Sequence, residues 1–295
     1  MMGRSLVFLC VSALLFSVAQ ASFWDDFWVM FGSQNVQYSG SPESGYENVQ
    51  LGLDTKTGSG FQSKYPFMFG YQSMKIKLVG GNSAGTMASV FPNWSELDFE
   101  FLGNTSGQPY ILQTNVFSEG IGQREQRIYL WFDPTADYHE YGILWNQNLI
   151  LFLVDGKAIR VFHNTRDLGI PYLDYQPMYI YTSIWDGSSW ATCGGGIPAD
   201  WSLAPFIASY TDFNVKDACA IYHPEVQPYG SPDEINACRS KLYGSWYGND
   251  PNLALTQTQI DELRWIKNDY VIYDYCSDLE RFNWVAPPEC ARNWP

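Results

Sequence analysis

The 295-residue sequence is poor in basic residues. Its 17 lysines and arginines are outnumbered by 31 aspartates and glutamates, which gives a formal net charge of −14 at pH 7. Such a chain repels phosphate backbones, which argues against nucleic acid as a partner. A neutral polymer fits this charge better. Aromatic residues make up 17% of the chain, and a minority of them would be enough to stack on the apolar faces of sugars.

Long apolar segments are absent beyond the N-terminus. Arg4, an apolar run over 6–18 and a small-x-small site at 19–21 together predict a signal peptide over residues 1–21. The apolar run is too short for a membrane anchor, which is the alternative interpretation. We therefore expect a secreted protein that begins at Ser22, acts outside the cell and has no membrane association after signal removal. We also expect a monomer.

The sequence also lacks cysteines spaced as C-x-x-C, which argues against a zinc site, and we expect no metal or other cofactor. Cys10 belongs to the predicted signal peptide. Four of the remaining five cysteines lie late in the chain and indicate disulfides in an oxidising compartment, at positions 219, 238, 276 and 290. Cys193 is the odd one. The spacing alone leaves the pairing of the cysteines open.

Convincing amphipathic helices are missing between Ser22 and about Val215. Short alternating segments recur there instead, separated by Gly, Asn, Asp and Pro. Asp155-Gly156 lies between two apolar runs and predicts a two-residue hairpin, and residues 145–148 predict another turn. This pattern favours an all-β fold, an antiparallel sandwich or jelly roll, over residues 22–215.

The C-terminal part of the sequence has a different pattern. Thr256-x-x-Gln259 has the form of a capping box, and the apolar spacing that follows predicts a helix over residues 257–267. Tyr270 to Tyr275 predicts one more strand. We interpret residues 216–295 as an extension, stapled by disulfides, that packs on the sandwich.

The segment that indicates chemistry is 96–104, with the sequence ELDFEFLGN. Its period of two places Glu96, Asp98 and Glu100 on one face and the apolar residues between them on the other. Three carboxylates so close repel one another, so at least one should stay protonated near neutral pH. A protonated acid beside an ionised carboxylate is what glycoside cleavage requires.

The spacing of the two glutamates is consistent with this chemistry. Residues four apart on a strand have Cα atoms roughly 13 Å apart. Side chains leaning toward each other could bring the carboxyl groups to about 5–5.5 Å, the separation typical of retaining glycosidases. Asp98 between them could hydrogen-bond the nucleophile. The alternative is a solvated acidic face without catalytic function.

The segment resembles the pattern HDEIDFEFLGN of the xyloglucan endotransglucosylase/hydrolases, plant cell-wall enzymes of glycoside hydrolase family 16. The resemblance continues in order through nearly all of the mature chain. Other segments that carry it are GSGFQS (58–63), GNSAGT (81–86), YLWFDP (129–134), YDYC (273–276) and PPEC (287–290). It implies a β-jelly-roll catalytic domain over 22–215, a retaining mechanism and no cofactor. It also implies a polysaccharide donor and an oligosaccharide or polysaccharide acceptor.

The resemblance also implies roles for individual residues. By motif position, Glu96 is the nucleophile, Asp98 its helper and Glu100 the general acid/base. A second set would contact substrate or order the site, and it comprises Gln113, Asn115, Arg124, Glu125 and Trp190, the last by stacking on a sugar on the acceptor side. Each role has a structural alternative. Gln113 and Asn115 could be outward polar residues of a strand, Arg124 could pair with an acid, and Trp190 could be part of the packing.

Covalent features follow from the same resemblance. It implies disulfides Cys219–Cys238 and Cys276–Cys290, with Cys193 free. Asn104 begins an N-glycosylation sequon just after the catalytic strand. A second sequon at Asn93 adjoins the nucleophile, and we expect it to be unused because a glycan there would crowd the cleft.

The chain departs from the family pattern around the predicted cleft. Trp94-Ser95 replaces His-Asp, Gln113 replaces a His, and Cys193 replaces an Arg, whereas the three acids are intact. The expected function is that of a retaining endo-acting transglycosylase, which cleaves a β-1,4-glucan backbone and transfers the glycosyl group to another chain. The expected substrate is xyloglucan, and the expected role is cell-wall construction or remodelling. The alternatives are a xyloglucan or mixed-linkage glucan endo-hydrolase, and a weakly active cell-wall polysaccharide-binding protein.

Overall fold

Two antiparallel β-sheets form most of the structure. A computed structural model describes residues 22–89, 95–105, 107–215, 217–222, 231–242 and 254–294. The predicted signal peptide, Asn93 and Trp94 lie outside these ranges. The strands are β1 (Phe27–Phe31), β2 (Val36–Ser41), β3 (Tyr46–Leu53), β4 (Ser59–Ser63), β5 (Phe67–Lys77), β6 (Thr86–Ser89), β7 (Glu96–Leu102), β8 (Ile111–Phe117), β9 (Gln126–Tyr129), β10 (His139–Trp145), β11 (Leu149–Val154), β12 (Lys157–His163), β13 (Tyr181–Asp186), β14 (Phe206–Asn214), β15 (Ala218–Ala220) and β16 (Val271–Asp274).

The two sheets confirm the expected antiparallel jelly-roll sandwich. The first sheet has the order β1-β4-β13-β6-β7-β8-β9-β16. The second has the order β12-β11-β10-β5-β14-β3-β2, and β15 pairs with β5. Strands distant in sequence are neighbours in both sheets, so residues far apart in the chain meet on one surface. The last strand, β16, belongs to the C-terminal segment and lies at the edge of the first sheet.

The core lies between the sheets. Leu97, Phe99 and Phe101 of β7 are all buried in it. The Phe99 ring contacts the rings of Tyr141 and Phe152 in the second sheet, with centroids 5.9 and 5.3 Å apart. Full burial of such a side chain stabilises a fold by about 1.5–3 kcal/mol. This packing fixes which face of β7 points away from the core.

Both predicted hairpin turns are confirmed. Asp155 and Gly156 have φ values of 49° and 73° and join β11 to β12, as a type I′ turn requires. Asn146 closes the turn between β10 and β11, because its side-chain oxygen accepts hydrogen bonds from the backbone of Asn148 (2.8 Å) and Leu149 (3.0 Å).

The C-terminal helix and strand are also confirmed. The helix spans Gln257–Asp269, slightly beyond the predicted end, and Thr256 caps it through the expected box with Gln259. Leu263 of this helix is buried in an apolar cluster with the outward residues of the second sheet, among them Leu151. The helix therefore covers the outer face of that sheet, and the chain then returns as β16.

Two helices were not expected from the sequence. The helix α1 (Phe23–Asp26) is a single turn, too short to show helical periodicity, and Ser22 caps it. The helix α2 (Pro232–Leu242) begins after Ser231, whose hydroxyl accepts a hydrogen bond from the Glu234 backbone at 3.2 Å. The helix over 257–269 is accordingly α3. None of these described helices is long and apolar enough to span a bilayer.

The disulfide pattern matches the expectation. Cys219–Cys238 joins β15 to α2, and Cys276–Cys290 closes the segment after β16. Cys193 is free and exposed.

Candidate active site

Strand β7 presents three carboxyl groups on the face of the first sheet that points away from the core; this surface is called the acidic face below. Glu96 is half-buried, whereas Asp98 and Glu100 are only 1% and 8% exposed. A carboxylate withdrawn from water in this way favours its protonated form. The arrangement therefore differs from a solvated row of surface acids.

The three carboxyl groups do not carry protons equally. Burial, followed by the charge of Glu96, raises the pKa of Asp98 well above its ordinary value. Burial also raises the pKa of Glu96, but a hydrogen bond from Asp98 opposes that rise. Of the two, Asp98 is therefore the group whose protonated form is favoured more strongly, and in that form it can donate a hydrogen bond to Glu96. The other Asp98 oxygen, Oδ1, has no hydrogen-bond partner within the described residues.

Glu100 is the third member of the row. Burial raises its pKa to about 7, against an opposing hydrogen bond from Gln113. Glu100 is therefore largely protonated below neutral pH, whereas Glu96 is the carboxylate that its neighbour stabilises. One ionised and one protonated carboxyl group on the same strand can act together as a nucleophile and an acid.

Strand β8 supplies the partners opposite the acids. Gln113 lies opposite Glu100 in register, and Asn115 opposite Asp98. The Gln113 side-chain nitrogen donates to Glu100 Oε2. On its other side, Gln113 Oε1 accepts a hydrogen bond of 2.6 Å from Nε of Arg127.

Asn115 and Arg124 have contacts that order the site. Asn115 Oδ1 accepts from the Arg124 backbone nitrogen at 3.1 Å. The Arg124 side chain is buried, and its Nε lies 2.7 Å from Oε1 of Glu289, which is also buried. Its Nη1 donates to the carbonyl of Ile121 at 2.6 Å. These contacts tie the end of the chain to the jelly roll and fit an ordering role better than direct substrate contact.

Glu125 lies at the edge where the C-terminal segment joins the sheet. It accepts two hydrogen bonds from Arg281, at 2.6 and 3.2 Å, and Arg281 also donates to the Tyr273 hydroxyl at 3.0 Å. The guanidinium of Arg127 lies 5.5 Å from the centroid of the Tyr273 ring. Sequence reasoning missed Arg127, Tyr273 and Arg281. Once the pairing of β8 with β9 is known, Arg127 can be found from it, because Arg127 lies opposite Gln113 and on the same face of the sheet.

An apolar surface lies next to the acidic face, in the row of the sheet that contains Leu102, two residues after Glu100 on β7. Trp185, Met87, Leu102 and Ile111 are opposite one another in register. Trp190 packs in this cluster, with its ring centroid 6.3 Å from that of Trp185. A pocket of about 420 Å³ continues the surface and is lined by Leu102, Ile111, Tyr129, Ala191 and Cys193 among others. Trp185 is a second ring that sequence reasoning did not single out.

Comparison with known proteins identifies the family of the chain. The family model "Glycosyl hydrolases family 16" matches residues 23–203, and "Xyloglucan endo-transglycosylase (XET) C-terminus" matches residues 243–290. A probable xyloglucan endotransglucosylase/hydrolase protein from Nicotiana tabacum is 46% identical over 92% of this chain and 88% of its own length. Xyloglucan endotransglucosylase protein 2 of Diospyros kaki is 48% identical over 85% and 82%, respectively.

The chain belongs to the xyloglucan endotransglucosylase/hydrolases of glycosyl hydrolases family 16. Among solved structures, the apo Crh5 transglycosylase superposes with a TM-score of 0.51, covering 68% of this chain and 84% of its own. Its sequence identity is 22%, so this likeness concerns the fold alone.

The departures from the family pattern at Ser95 and Cys193 lie within the described residues of this xyloglucan endotransglucosylase/hydrolase. Ser95 is buried, and its hydroxyl lies 3.3 Å from that of Tyr175. Cys193 has a φ of 51° and is exposed at the rim of the pocket beside Leu102. The sequon residue Asn104 is half-buried, and its amide donates to the Pro109 carbonyl at 2.9 Å. Its glycosylation stays a prediction.

Proposed function

We propose that this protein is a retaining, endo-acting transglycosylase that cleaves the β-1,4-glucan backbone of xyloglucan and transfers the glycosyl group to another xyloglucan chain. The observation that carries the proposal is the row of three carboxyl side chains on one face of β7, of which Asp98 and Glu100 are buried. Glu96 is a carboxylate supported by Asp98, and Glu100 has a pKa of about 7. The names of relatives 43–48% identical to this chain support the choice of substrate.

The first half-reaction requires Glu96 to be ionised and Glu100 to be protonated. The Glu96 carboxylate attacks the anomeric carbon and forms a covalent glycosyl ester, while Glu100 gives its proton to the departing glycosidic oxygen. As Glu96 loses its charge, the hydrogen bond from Asp98 weakens. The part of the rise in the Asp98 pKa that comes from the Glu96 charge is then removed, whereas the larger part, from burial, remains. Asp98 therefore stabilises the carboxylate before attack and again when Glu96 leaves.

The second half-reaction reverses these roles. Glu100, now ionised, takes the proton of an acceptor hydroxyl group, which attacks the same carbon and releases Glu96. Two displacements at one carbon retain its configuration. A pKa near neutrality suits Glu100 for both roles, because it must give and take a proton in one cycle.

The acceptor is a sugar rather than water when the sugar is held in place. A bound and oriented hydroxyl group reacts at a very large effective concentration, which offsets the abundance of water. The rings of Trp185 and Trp190 pack in the apolar cluster around Leu102, two residues along β7 from Glu100, and offer apolar surface for such a sugar. The substrate is a wall polysaccharide, so we propose that the protein is secreted to the cell wall, in keeping with the predicted signal peptide.

The test is an incubation with xyloglucan, with and without a fluorescent xyloglucan oligosaccharide, followed by size separation and an assay of reducing ends. We expect label in long chains and a much faster fall in polymer length when the oligosaccharide is present. The Glu96→Ala variant should neither incorporate the label into long chains nor shorten the polymer. Reducing ends that appear at the same rate with and without the oligosaccharide would identify a hydrolase instead.

A further inference from the structure

A continuous row of contacts links the C-terminal segment to Glu100. In register across the first sheet, Glu100 lies opposite Gln113, Gln113 opposite Arg127, and Arg127 opposite Tyr273. The side chains repeat this order, from the Tyr273 ring to the guanidinium, to the Gln113 amide and to Oε2 of Glu100. Strand β16 therefore reaches Glu100 through two intermediate side chains.

The order of donors and acceptors in this row permits one orientation of the Gln113 amide. Arg127 can only donate, so it requires the oxygen of that amide on its side. The amide nitrogen must then point at Glu100. If the amide were rotated by half a turn, its nitrogen would meet the guanidinium and its oxygen would meet Glu100. Both contacts are unfavourable when Glu100 is ionised.

The oriented amide distinguishes the two oxygens of Glu100. Oε2 accepts the amide hydrogen, which favours the carboxylate and favours placing the proton of the acid form on Oε1. Oε1 is thereby left to give its proton to the glycosidic oxygen and to take one from the acceptor. Proton transfer depends on this geometry, because the proton must lie within hydrogen-bond reach of the reacting oxygen.

We propose that Tyr273 and Arg127 are positioning residues, through which the C-terminal strand holds Gln113 in the orientation that directs the proton of Glu100 into the cleft. This inference rests on the acid/base role proposed for Glu100. It gives the C-terminal segment a part in proton transfer, in addition to packing. The Arg127 guanidinium lies over the Tyr273 ring, and this cation–π contact limits its rotation and directs Nε at Gln113.

The charged and titratable groups around Glu100 determine the sign of the effect. They are Glu96 and Asp98 on its own strand, and Glu125 and Arg127 from the β9 side. On the opposite side, β6 and β13 place Ser89 and Ser183 in its register row, and neither is titratable. The amide of Gln113 and the charge of Arg127 both lower the pKa of Glu100. Removing either should therefore raise it.

The experiment measures kcat/KM for transfer against pH in the full mature chain. Glu100 must be protonated for the first step, so activity falls as pH rises through its pKa. Arg127→Met and Gln113→Leu should each move this basic limb to higher pH by about one unit and lower kcat about tenfold. Arg264→Met removes an exposed arginine of α3 and should leave the limb unchanged.

Two comparisons separate positioning from general damage. If Arg127 acts through Gln113, the double variant should shift the limb little more than Gln113→Leu alone. Tyr273→Leu should shift the limb as Arg127→Met does, whereas Tyr273→Phe keeps the ring and should retain the wild-type limb. Shifts that add fully in the double variant, or an unmoved limb in Arg127→Met and Gln113→Leu, would overturn the inference. A wild-type chain without transferase activity would instead overturn the proposed function.

Discussion

The buried carboxyl group of Glu100 should lower the stability of the fold, and Glu100→Gln should show by how much. Glutamine has nearly the same shape and can still accept the hydrogen bond from Gln113, but it has no proton to lose. The variant should therefore be inactive and yet more stable than the wild type at neutral pH. Such a trade between stability and activity is expected where a site holds a charge out of water.

The magnitude follows from the pKa of Glu100, which is about 7 in the folded chain and ordinarily 4.5. Between these values the folded state binds more protons than the unfolded state, so stability falls as pH rises through this window. The penalty is absent below about pH 4.5 and complete above about pH 7. The full difference corresponds to about 3 kcal/mol. Because the effective dielectric constant around a protein group is higher than that of a dry interior, we expect about 2 kcal/mol.

The assay is urea unfolding of both chains at several pH values from 4.5 to 8, with the free energy of unfolding extrapolated to water. The difference between variant and wild type should grow from near zero at the acid end to its full value at the neutral end. The effects of Glu96 and Asp98 largely cancel, because both chains carry them. Glu119→Gln, at an exposed site, provides a control for the general effect of replacing a glutamate by a glutamine.

A difference that stays constant with pH would show that Glu100 titrates in the folded chain as it does in the unfolded chain. A difference in the free energy of unfolding that grows toward acid pH would show that folding lowers the pKa of Glu100. Either result would refute the assignment of Glu100 as the protonated member of the row.

Three further predictions concern other parts of the molecule. Arg124→Met leaves Glu289 buried without its counter-charge and should lower the free energy of unfolding in urea by about 3–5 kcal/mol. Arg292→Met removes one partner of an exposed pair and should lower it far less. The folded mature chain should react with a thiol reagent once, at Cys193, and a second reactive thiol would contradict the disulfide pattern. Trp190→Ala should raise the acceptor KM about tenfold with a smaller change in kcat, and an unchanged KM would exclude stacking on the acceptor.

The parts of the fold that depend on local pattern could be predicted from the sequence. The alternation in 96–102 placed the acids on one face of β7, and packing against Tyr141 and Phe152 confirms it. Asp155-Gly156 and the capping box at Thr256 are signals contained within a few residues, and both are confirmed. Such features need no knowledge of which strands become neighbours.

The contacts that complete the site could not be predicted in this way. The Arg124–Glu289 pair and the cation–π contact of Arg127 with Tyr273 join residues far apart in the chain. The contact of Arg127 with Tyr273 depends on the pairing of β9 with β16, which no periodicity in the sequence indicates. The helix α2 is a different case, since the sequence Ser231-Pro-Asp-Glu carried a usable N-terminal signal. It was missed because the apolar spacing that follows is weak.

The central claim is that transfer passes through a glycosyl ester on Glu96. The most direct measurement uses the Glu100→Gln variant and an activated xyloglucan-oligosaccharide fluoride, which needs no acid for departure. Without Glu100 as base the ester should accumulate, and peptic digestion followed by tandem mass spectrometry should locate the added sugar mass on Glu96. An adduct on Asp98, or release of fluoride with no adduct on this strand, would contradict the account.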